Sequence, residues 1–358
     1  MGLSSTSKRV IAAVEAVCAS DVDERTLRRR VLELLRPVVA ADAYAWLLTD
    51  PVTAVGTAPL ADVPWLGELP LQIRLKYATQ VNRWTDMPGP VATLDEATGG
   101  ERGRSHVWDR LLHRYGVGDV ASVVLRDRFG CWSFLELWRT AERGSFESES
   151  VAVLQALADT LTWALRRRVA ASLSTPPPST GATGPVVLLL GPDLEVRVQT
   201  DETSEYLRLL VPPDDNRAPV PAGAYNVAAQ LLAVETGVTE AAPSARVHLT
   251  LGRWVTFRAA RIGTASSNAQ RDIAVTVEVT NPVDRADVFA RAYGLSIRER
   301  GVLEHLLVGR DTTEISKLML VTPNTVHDHL KSMFTKTGSR SRRTLLAQAL
   351  GTSVSSAR

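Results

Sequence analysis

The side chains with the clearest potential for chemistry lie in one segment near the C-terminus, VTPNTVHDHLKSMFTKTGSRSR, Val321–Arg342. Thr322 can cap a helix here, and Pro323 then occupies the first helical position, where its missing N–H costs nothing. At about 100° per residue, one face of this helix is apolar and the opposite face is long, polar and mostly uncharged. That polar face suits hydrogen bonding to the edges of bases, although a solvated surface helix has the same composition. It consists of Asn324, His327, Asp328, Lys331 and Thr335.

Metal binding and catalysis have little support in the sequence. His327 and His329 lie about 200° apart on a helix, whereas a zinc-binding pair needs the spacing i, i+4. The two cysteines, Cys18 and Cys131, are too few for a disulfide framework or a Cys-rich metal site. No set of nucleophile, base and orienting group stands out, and neither does a pair of carboxylates. We therefore predict no metal, no cofactor and no enzymatic activity.

The positive charge of the chain is concentrated at its C-terminus. From Leu295 onward ten basic residues stand against five acidic ones, so this part carries +5 and the remainder about −3. This asymmetry indicates a polyanion as the partner of the C-terminal part. The hydrophobic fraction of 45% is that of a globular protein, and no apolar run reaches the roughly 18 residues of a membrane span. The N-terminus has no pattern of a secretory signal, so we expect a cytoplasmic protein with no membrane partner.

The order of predicted elements divides the chain into an α+β domain, a second α+β domain and an all-α bundle of four helices. The clearest boundary is the Pro/Ser/Gly-rich linker at residues 173–185, which we expect to decouple the first two domains. In the first domain residues 71–84 and 106–115 are predicted as helices, and two central strands are joined by a turn at Asp127 to Gly130. The predicted boundaries are 1–172 for the first domain, 186–282 for the second, 283–294 for a short connecting helix and 295–358 for the bundle.

Local signals in the bundle agree on four short helices. Ser296 and Glu299 form a capping box ahead of the first helix, and Asp311 to Glu314 can cap the second. The third helix, about 323–336, follows a tight break, and Ser341 caps the fourth. Two helices separated by one brief turn match a helix-turn-helix, in which the second of the two lies in the major groove of DNA.

The stretch LSIRERGVLEHLLVGRDTTEISKLMLVTPNTVHDHLKSMFTKTGSRSR resembles the LuxR-type helix-turn-helix domain. The family's pattern runs through Arg298-Glu299, Val302-Leu303, Gly309, Glu314-Ile315, Thr325-Val326, His329-Leu330, Lys336, Gly338 and Ser341-Arg342. The family usually has Lys where this chain has His327, and a neutral imidazole contributes less electrostatic affinity than Lys. The DNA sequence that this chain would read therefore stays open.

This resemblance implies a set of DNA-contacting residues and a surface that pairs two subunits. The DNA-binding residues are Thr322, Asn324, Thr325, His327, Asp328, Lys331, Thr335 and Lys317, with Lys331 the favoured contact. In LuxR-type domains the last helix pairs subunits, and here that helix carries Leu345, Leu346, Ala349 and Leu350. A single small module buries only about 600–1,000 Å² on DNA. We therefore expect a homodimer on a pseudo-palindromic double-stranded operator.

The two preceding domains resemble sensor modules. The order of elements in residues 22–170, with the CWSFLELWR strand and a long closing helix, is similar to a GAF domain, and residues 186–281 are similar to a PAS-type domain. The whole chain resembles the GAF- and PAS-containing LuxR-type regulators of actinomycetes. Five tryptophans could line a pocket, although tryptophan at regular spacing belongs to a core more often: Trp46, Trp84, Trp108, Trp132 and Trp138. No motif identifies the effector, which could be a small molecule or a protein.

We therefore predict a sequence-specific transcriptional regulator whose recognition helix is controlled by the two N-terminal domains. Two other classes of protein stay open. The first domain could form a ligand-dependent enzyme. Alternatively, the bundle could be an interaction adaptor whose helix-turn-helix no longer reads DNA.

Overall fold

The computed structural model describes residues 2–174, 186–210, 221–249, 252–263 and 271–352. The chain divides into two compact units. The first comprises Met1–Leu165, Thr183–Val247 and Thr256–Glu278, and the second comprises Arg166–Ala182, His248–Val255 and Val279–Arg358. Most of the linker predicted at residues 173–185 lies outside the described residues.

The first unit contains a five-stranded antiparallel sheet in the order β2-β1-β5-β4-β3. Its strands are β1 (Ala43–Thr49), β2 (Gly56–Asp62), β3 (Val91–Thr93), β4 (Val117–Asp127) and β5 (Gly130–Thr140). The predicted central strand pair is confirmed, because β4 and β5 form a hairpin in which Asp127 pairs with Gly130. Since side chains alternate between the two faces of a strand, Phe134, Glu136 and Trp138 share one face of β5.

Helices flank this sheet, and together they form the first sheet domain. They are α1 (Ser5–Ala19), α2 (Glu24–Val39), α3 (Leu69–Ala78), α4 (Leu94–Thr98), α5 (His106–Arg110) and α6 (Ser148–Ser174). The buried Arg28 of α2 donates to the carbonyls of Trp46 and Ala58, which fixes α2 against β1 and β2. The described part of the chain has no helix both long and apolar enough to cross a membrane.

Two helices predicted in this domain are shorter than expected. The helix predicted over residues 71–84 ends at Ala78, because Thr79 has an extended backbone with φ −67° and ψ 148°. Trp84 consequently lies in the loop between α3 and β3 and not on a helix. The helix predicted over 106–115 ends at Arg110, where Leu111 leaves the helical region with φ −134° and ψ −64°.

The second sheet is also antiparallel where its register is given, and it has the order β7-β6-β10-β9-β8. Its strands are β6 (Val186–Leu190), β7 (Val196–Gln199), β8 (Ser244–His248), β9 (Trp254–Ile262) and β10 (Asp272–Val279). With helices α7 (Asp201–Leu210) and α8 (Ala222–Glu235) it forms the second sheet domain. The prediction of two α+β domains before the helical bundle is therefore confirmed.

The first unit joins residues of both sheet domains, so the expectation that the linker decouples them is wrong. Helix α8 packs on α3 and on β2. The Arg246 guanidinium binds the Asp50 carboxylate through Nε–Oδ2 at 2.6 Å and Nη2–Oδ1 at 2.8 Å, and both side chains are buried. Burial raises the pKa of Asp50, but the hydrogen bonds and charge of Arg246 outweigh it, so that this pKa lies below its ordinary value. A buried pair of this kind resists separation, because removing either partner leaves an uncompensated charge.

The second unit contains the C-terminal helical bundle together with the last turns of α6. Its other helices are α9 (Pro282–Ala292), α10 (Ile297–Leu307), α11 (Thr312–Leu318), α12 (Pro323–Thr337) and α13 (Arg342–Leu350). Both predicted helix starts are capping boxes, Ser296 with Glu299 and Asp311 with Glu314. Gly338 ends α12 in the left-handed region with φ 68°, where glycine carries no steric penalty. The four predicted helices of the bundle are thus α10 to α13.

Candidate nucleic-acid interface

Helix α12 is held in the bundle by its apolar stripe. Val326, Leu330 and Met333 are buried, as the sequence predicted, and α12 packs on α10, α11 and α13. At the N-terminus of the helix, the Thr322 hydroxyl accepts a hydrogen bond from the backbone N–H of Thr325 at 3.2 Å. This cap satisfies one of the free donors that every helix start leaves. The stripe and the cap together fix which face of α12 is presented to solvent.

The opposite face of α12 is exposed and free. Within the described part of the chain, the side chains of Asn324, His327, Asp328 and Lys331 make no hydrogen bond or ion pair, and all four are exposed. Thr335 is also exposed, and its hydroxyl donates to the Lys331 carbonyl at 3.1 Å. The structure therefore brings the five polar residues predicted from the sequence onto one accessible face.

The remaining predicted DNA-binding residues lie at the edges of this face. Thr322 and Thr325 have their hydroxyl oxygens 3.0 Å apart at the N-terminus of α12, where they serve the cap. Lys317 is exposed in the last turn of α11. The turn that follows places Leu320 in the left-handed region with φ 56°, and its side chain is 92% exposed. A left-handed residue other than glycine is unfavourable, so the tight turn is held by the packing of α11 on α12.

Glu299 links the start of α10 to α12, a role that the sequence revealed only in part. Its carboxylate accepts from the Ser296 N–H at 2.6 Å, as the capping box predicts, but also from the Ser332 hydroxyl and the Lys336 ammonium, each at 2.6 Å. Burial of the carboxyl raises its pKa, but these donors lower it by more, to about 2. Glu299 is consequently a charged anchor that sets the angle of the exposed helix. The bonds to α12 span more than 30 positions, and no local pattern in the sequence announces them.

The four residues predicted to pair subunits have different environments. Leu345 and Ala349 are fully buried inside the chain, where α13 packs on α9 and α12. Leu346 and Leu350 are only partly buried. Within this predicted surface, only the latter two side chains are accessible for pairing without movement of α13.

Arg285 of α9 binds the ends of two other helices in the second unit, and the sequence alone did not predict this. Its guanidinium donates to the carbonyls of Gln348 and Ala349 at the end of α13 and to that of Leu173 at the end of α6. The side chain is 5% exposed, and no described carboxylate forms an ion pair with it. A cation at helix C-termini is stabilised by the helix dipoles, which here take the place of an acidic partner.

A second contact strengthens this junction. The Tyr293 hydroxyl lies 2.6 Å from the Ser174 hydroxyl and donates to the Ala170 carbonyl at 3.1 Å. The end of α6 is therefore bound to α9 at two places. We call Arg285, Tyr293 and the helix ends that they bind the α6–α9–α13 junction.

Comparison with known proteins identifies the C-terminal part. The sequence pattern of the GerE family, described as bacterial regulatory proteins of the luxR family, matches residues 294–349. This segment is a luxR-family helix-turn-helix domain. It contains α10, α11, α12 and all of α13 except Leu350, and thus the whole exposed face described above. No curated protein matches the chain.

Solved structures similar to this chain include VqmA, which is described as a LuxR-type receptor, and SdiA. The Vibrio cholerae VqmA dimer in the absence of target DNA is 17% identical, over 47% of this chain and 83% of that one, with a TM-score of 0.20. Escherichia coli SdiA is 13% identical, over 96% of this chain and 97% of that one, with a TM-score of 0.31. TM-scores this low do not establish a shared overall arrangement. In the described residues, no group of three or more His, Cys, Asp or Glu side chains is arranged to hold a metal ion.

Proposed function

We propose that this protein is a DNA-binding transcriptional regulator whose helix α12 enters the major groove. The observation that supports this most is the exposed polar face of α12 within a domain of the luxR family. Helix-turn-helix proteins place the second helix of the motif in the groove, where its side chains contact base edges and the surrounding residues contact phosphates. Asn324, His327, Asp328 and Lys331 would contact bases, and Thr322, Thr325, Thr335 and Lys317 would position the helix on the DNA.

We further propose a homodimer on a two-fold operator. One small module buries about 600–1,000 Å² of protein surface on DNA, which is at the low end for specific binding. The partly exposed Leu346 and Leu350 of α13 would form the contact between subunits. The buried Leu345 and Ala349 would support that helix from inside.

Control by the N-terminal domains would act through the α6–α9–α13 junction. The end of α6 is bound to α9 by Arg285 and Tyr293, and Arg285 also holds the end of α13. A change in the position of the last turn of α6 would therefore alter how α13 is held. An effector can shift such an equilibrium only by its difference in affinity for the two arrangements, which typically amounts to about 1–3 kcal/mol.

The test is selection of DNA from a random-sequence pool by the full chain, followed by measurement of affinity at several salt concentrations. We expect an enriched two-fold sequence and an affinity that falls as salt rises, because phosphate contacts release counterions. The double variant His327→Ala/Lys331→Ala should lose the enrichment. Lys8→Ala, which removes a charge from the exposed face of α1, is the matched control. If no sequence is enriched, the chain is better described as an interaction adaptor.

A further inference from the structure

A buried tryptophan in the first sheet domain is held by three kinds of contact to its indole ring. Trp84 belongs to the loop between α3 and β3 and is 9% exposed. Its indole stacks on the Phe134 ring with centroids 4.4 Å apart and planes at 13°. Its Nε1–H donates to Glu136 Oε1 at 3.1 Å, and Lys76 Nζ lies 4.7 Å from the ring centroid. One flat ring is thus recognised by stacking, by a hydrogen bond and by a cation over its face.

The polar groups around this indole form a compact buried cluster. Lys76 Nζ lies 2.5 Å from Glu136 Oε1, and these two side chains are 8% and 5% exposed. The Ser122 hydroxyl donates to the same carboxylate oxygen at 2.7 Å. We call Lys76, Ser122, Phe134 and Glu136 the indole cage.

The Lys76–Glu136 ion pair is not needed to fill the space around the Trp84 ring or to bury apolar surface. Desolvation of two buried charges is expensive, and well-packed apolar residues in their place are often neutral or stabilising. The stacking of Trp84 on Phe134 needs neither charge. By contrast, a carboxylate at this position selects a ligand with an N–H donor, and a cation over the site selects a planar ring. The cage therefore has the composition of a recognition site, in which a few polar groups orient a ligand inside an apolar pocket.

The loop that carries Trp84 is bonded to the neighbouring strands. The Asn82 amide donates to the Thr93 carbonyl, Arg126 donates to the carbonyls of Thr85 and Met87, and the Pro90 carbonyl accepts from the Val124 N–H at 2.8 Å. Residues 79–90 contain turns and bends but no helix or strand. Asn82 has a left-handed backbone with φ 48°, and its carbonyl accepts from Lys76 Nζ at 3.0 Å. Arg83 donates to the Val238 carbonyl at 3.0 Å, just beyond α8 of the second sheet domain. Withdrawal of Trp84 with this loop would therefore also break a contact to the second sheet domain.

We propose that the indole cage binds a planar heteroaromatic molecule with an N–H donor, and that Trp84 occupies the site in its absence. Binding would displace the indole of Trp84 together with residues 79–90. This inference deepens the proposed function by naming the chemical class of the effector, and it rests on the first sheet domain being the sensor.

The first test uses indole and 1-methylindole as probes on the full wild-type chain. The two molecules have nearly the same shape, but 1-methylindole has no N–H to donate to Glu136. We expect saturable binding of indole, measured by calorimetry, and binding of 1-methylindole weaker by roughly ten-fold or more, since a buried carboxylate would lose a donor. Indole should also accelerate cleavage by trypsin after Arg83, because the loop is released, whereas 1-methylindole should not.

Two variants separate recognition from simple filling of space. Trp84→Ala removes the internal competitor, so indole should bind more tightly than to wild type by about ten-fold or more. In the background of Trp84→Ala, the pair Lys76→Met/Glu136→Leu should bind both probes equally, because the groups that distinguish them are gone.

Absence of saturable indole binding to wild type at millimolar concentration would overturn the proposal, and so would equal binding of the two probes. The wild-type measurements stand even if Trp84→Ala does not fold. None of these experiments involves DNA, so failure here would leave the proposed regulatory function untouched, and failure of the DNA selection would leave the cage untouched.

Discussion

At the scale of single residues, the structure distinguishes the side chains of α12 that are available to bind DNA from one that is bound within the bundle. His327, Asp328 and Lys331 are exposed without a partner among the described residues, whereas Lys336 is bound to Glu299. Periodicity alone predicted the first group, because an apolar stripe on one side of a helix fixes the opposite side. It could not assign Lys336, because the Glu299 carboxylate that binds it comes from another helix.

Lys331→Ala should weaken operator binding. If Lys331 contacts a base, the loss should be roughly 1–3 kcal/mol, with relaxed preference at one base pair. If it contacts a phosphate, affinity should fall evenly across sequences and the salt dependence should decrease by about one counterion. Titration of labelled operator at several salt concentrations distinguishes the two outcomes. Lys8→Ala serves as the control, and equal affinities for Lys331→Ala and wild type would contradict the placement of this residue.

Glu299 should make the stability of the protein depend on pH in the acid range. Its pKa in the folded protein is about 2, against an ordinary value of 4.5. A carboxyl with a lowered pKa stabilises the fold fully above the ordinary value, and this contribution is lost as the pH falls from about 4.5 to about 2. Glu299→Gln should therefore be less stable than wild type near neutral pH, by on the order of 2 kcal/mol, and the difference should shrink below pH 4. Urea denaturation at pH 6 and at pH 3 measures it, and a difference independent of pH would count against a charged anchor.

At the scale of elements, the sequence was most informative where structure is local. The capping boxes at Ser296 and Asp311 lie within three residues of their partners, so the starts of α10 and α11 could be predicted correctly. The end of α3 could not, because the pattern of apolar residues continues to Trp84 while the chain turns at Thr79. The Arg285 contacts were also out of reach, since they join residues more than 60 positions apart.

The α6–α9–α13 junction predicts a specific effect of Arg285. Arg285→Met should remove the charge-assisted hydrogen bonds to three carbonyls and loosen the end of α13, at a cost of roughly 1.5–3 kcal/mol. Amide hydrogen exchange of the full chain should show faster exchange in α13 and in the last turn of α6, but not in β4 or β5. Arg298→Met, at an exposed position of α10, is the matched control. Unchanged exchange in α13 would mean that Arg285 does not hold it.

The pairing surface on α13 leads to a prediction about assembly. Leu346→Glu places a charge on a partly exposed position of that surface while Leu345 and Ala349 keep their buried contacts. Self-association and operator affinity should both fall, and the circular dichroism spectrum should not change. Val308→Glu adds the same charge at an exposed position outside α13 and should leave self-association as in wild type. Equal sedimentation of Leu346→Glu and wild type would exclude this surface as the dimer contact.

At the scale of the whole molecule, the two sheet domains cannot be treated as independent modules, because they are joined by direct contacts. The Asp50–Arg246 pair joins residues 196 positions apart, and the Arg83–Val238 hydrogen bond joins residues 155 positions apart. Contacts at such distances leave no trace in the local sequence, whereas a Pro/Ser/Gly-rich linker is conspicuous. That difference explains why the sequence suggested decoupling. A molecule that binds in the first sheet domain can consequently affect the second by direct contact.

This arrangement predicts that the two sheet domains unfold together. Scanning calorimetry of the full chain should show one transition for both, because they share a buried interface formed by α3, α8 and the Asp50–Arg246 pair. Asp50→Asn removes the carboxylate charge that binds the buried Arg246 and should destabilise the protein by about 3–5 kcal/mol. The double variant Asp50→Asn/Arg246→Met should recover part of that loss, because both charges of the pair are then removed. Two separate transitions in the wild type, or equal destabilisation by the single and double variants, would show that the pair does not couple the domains.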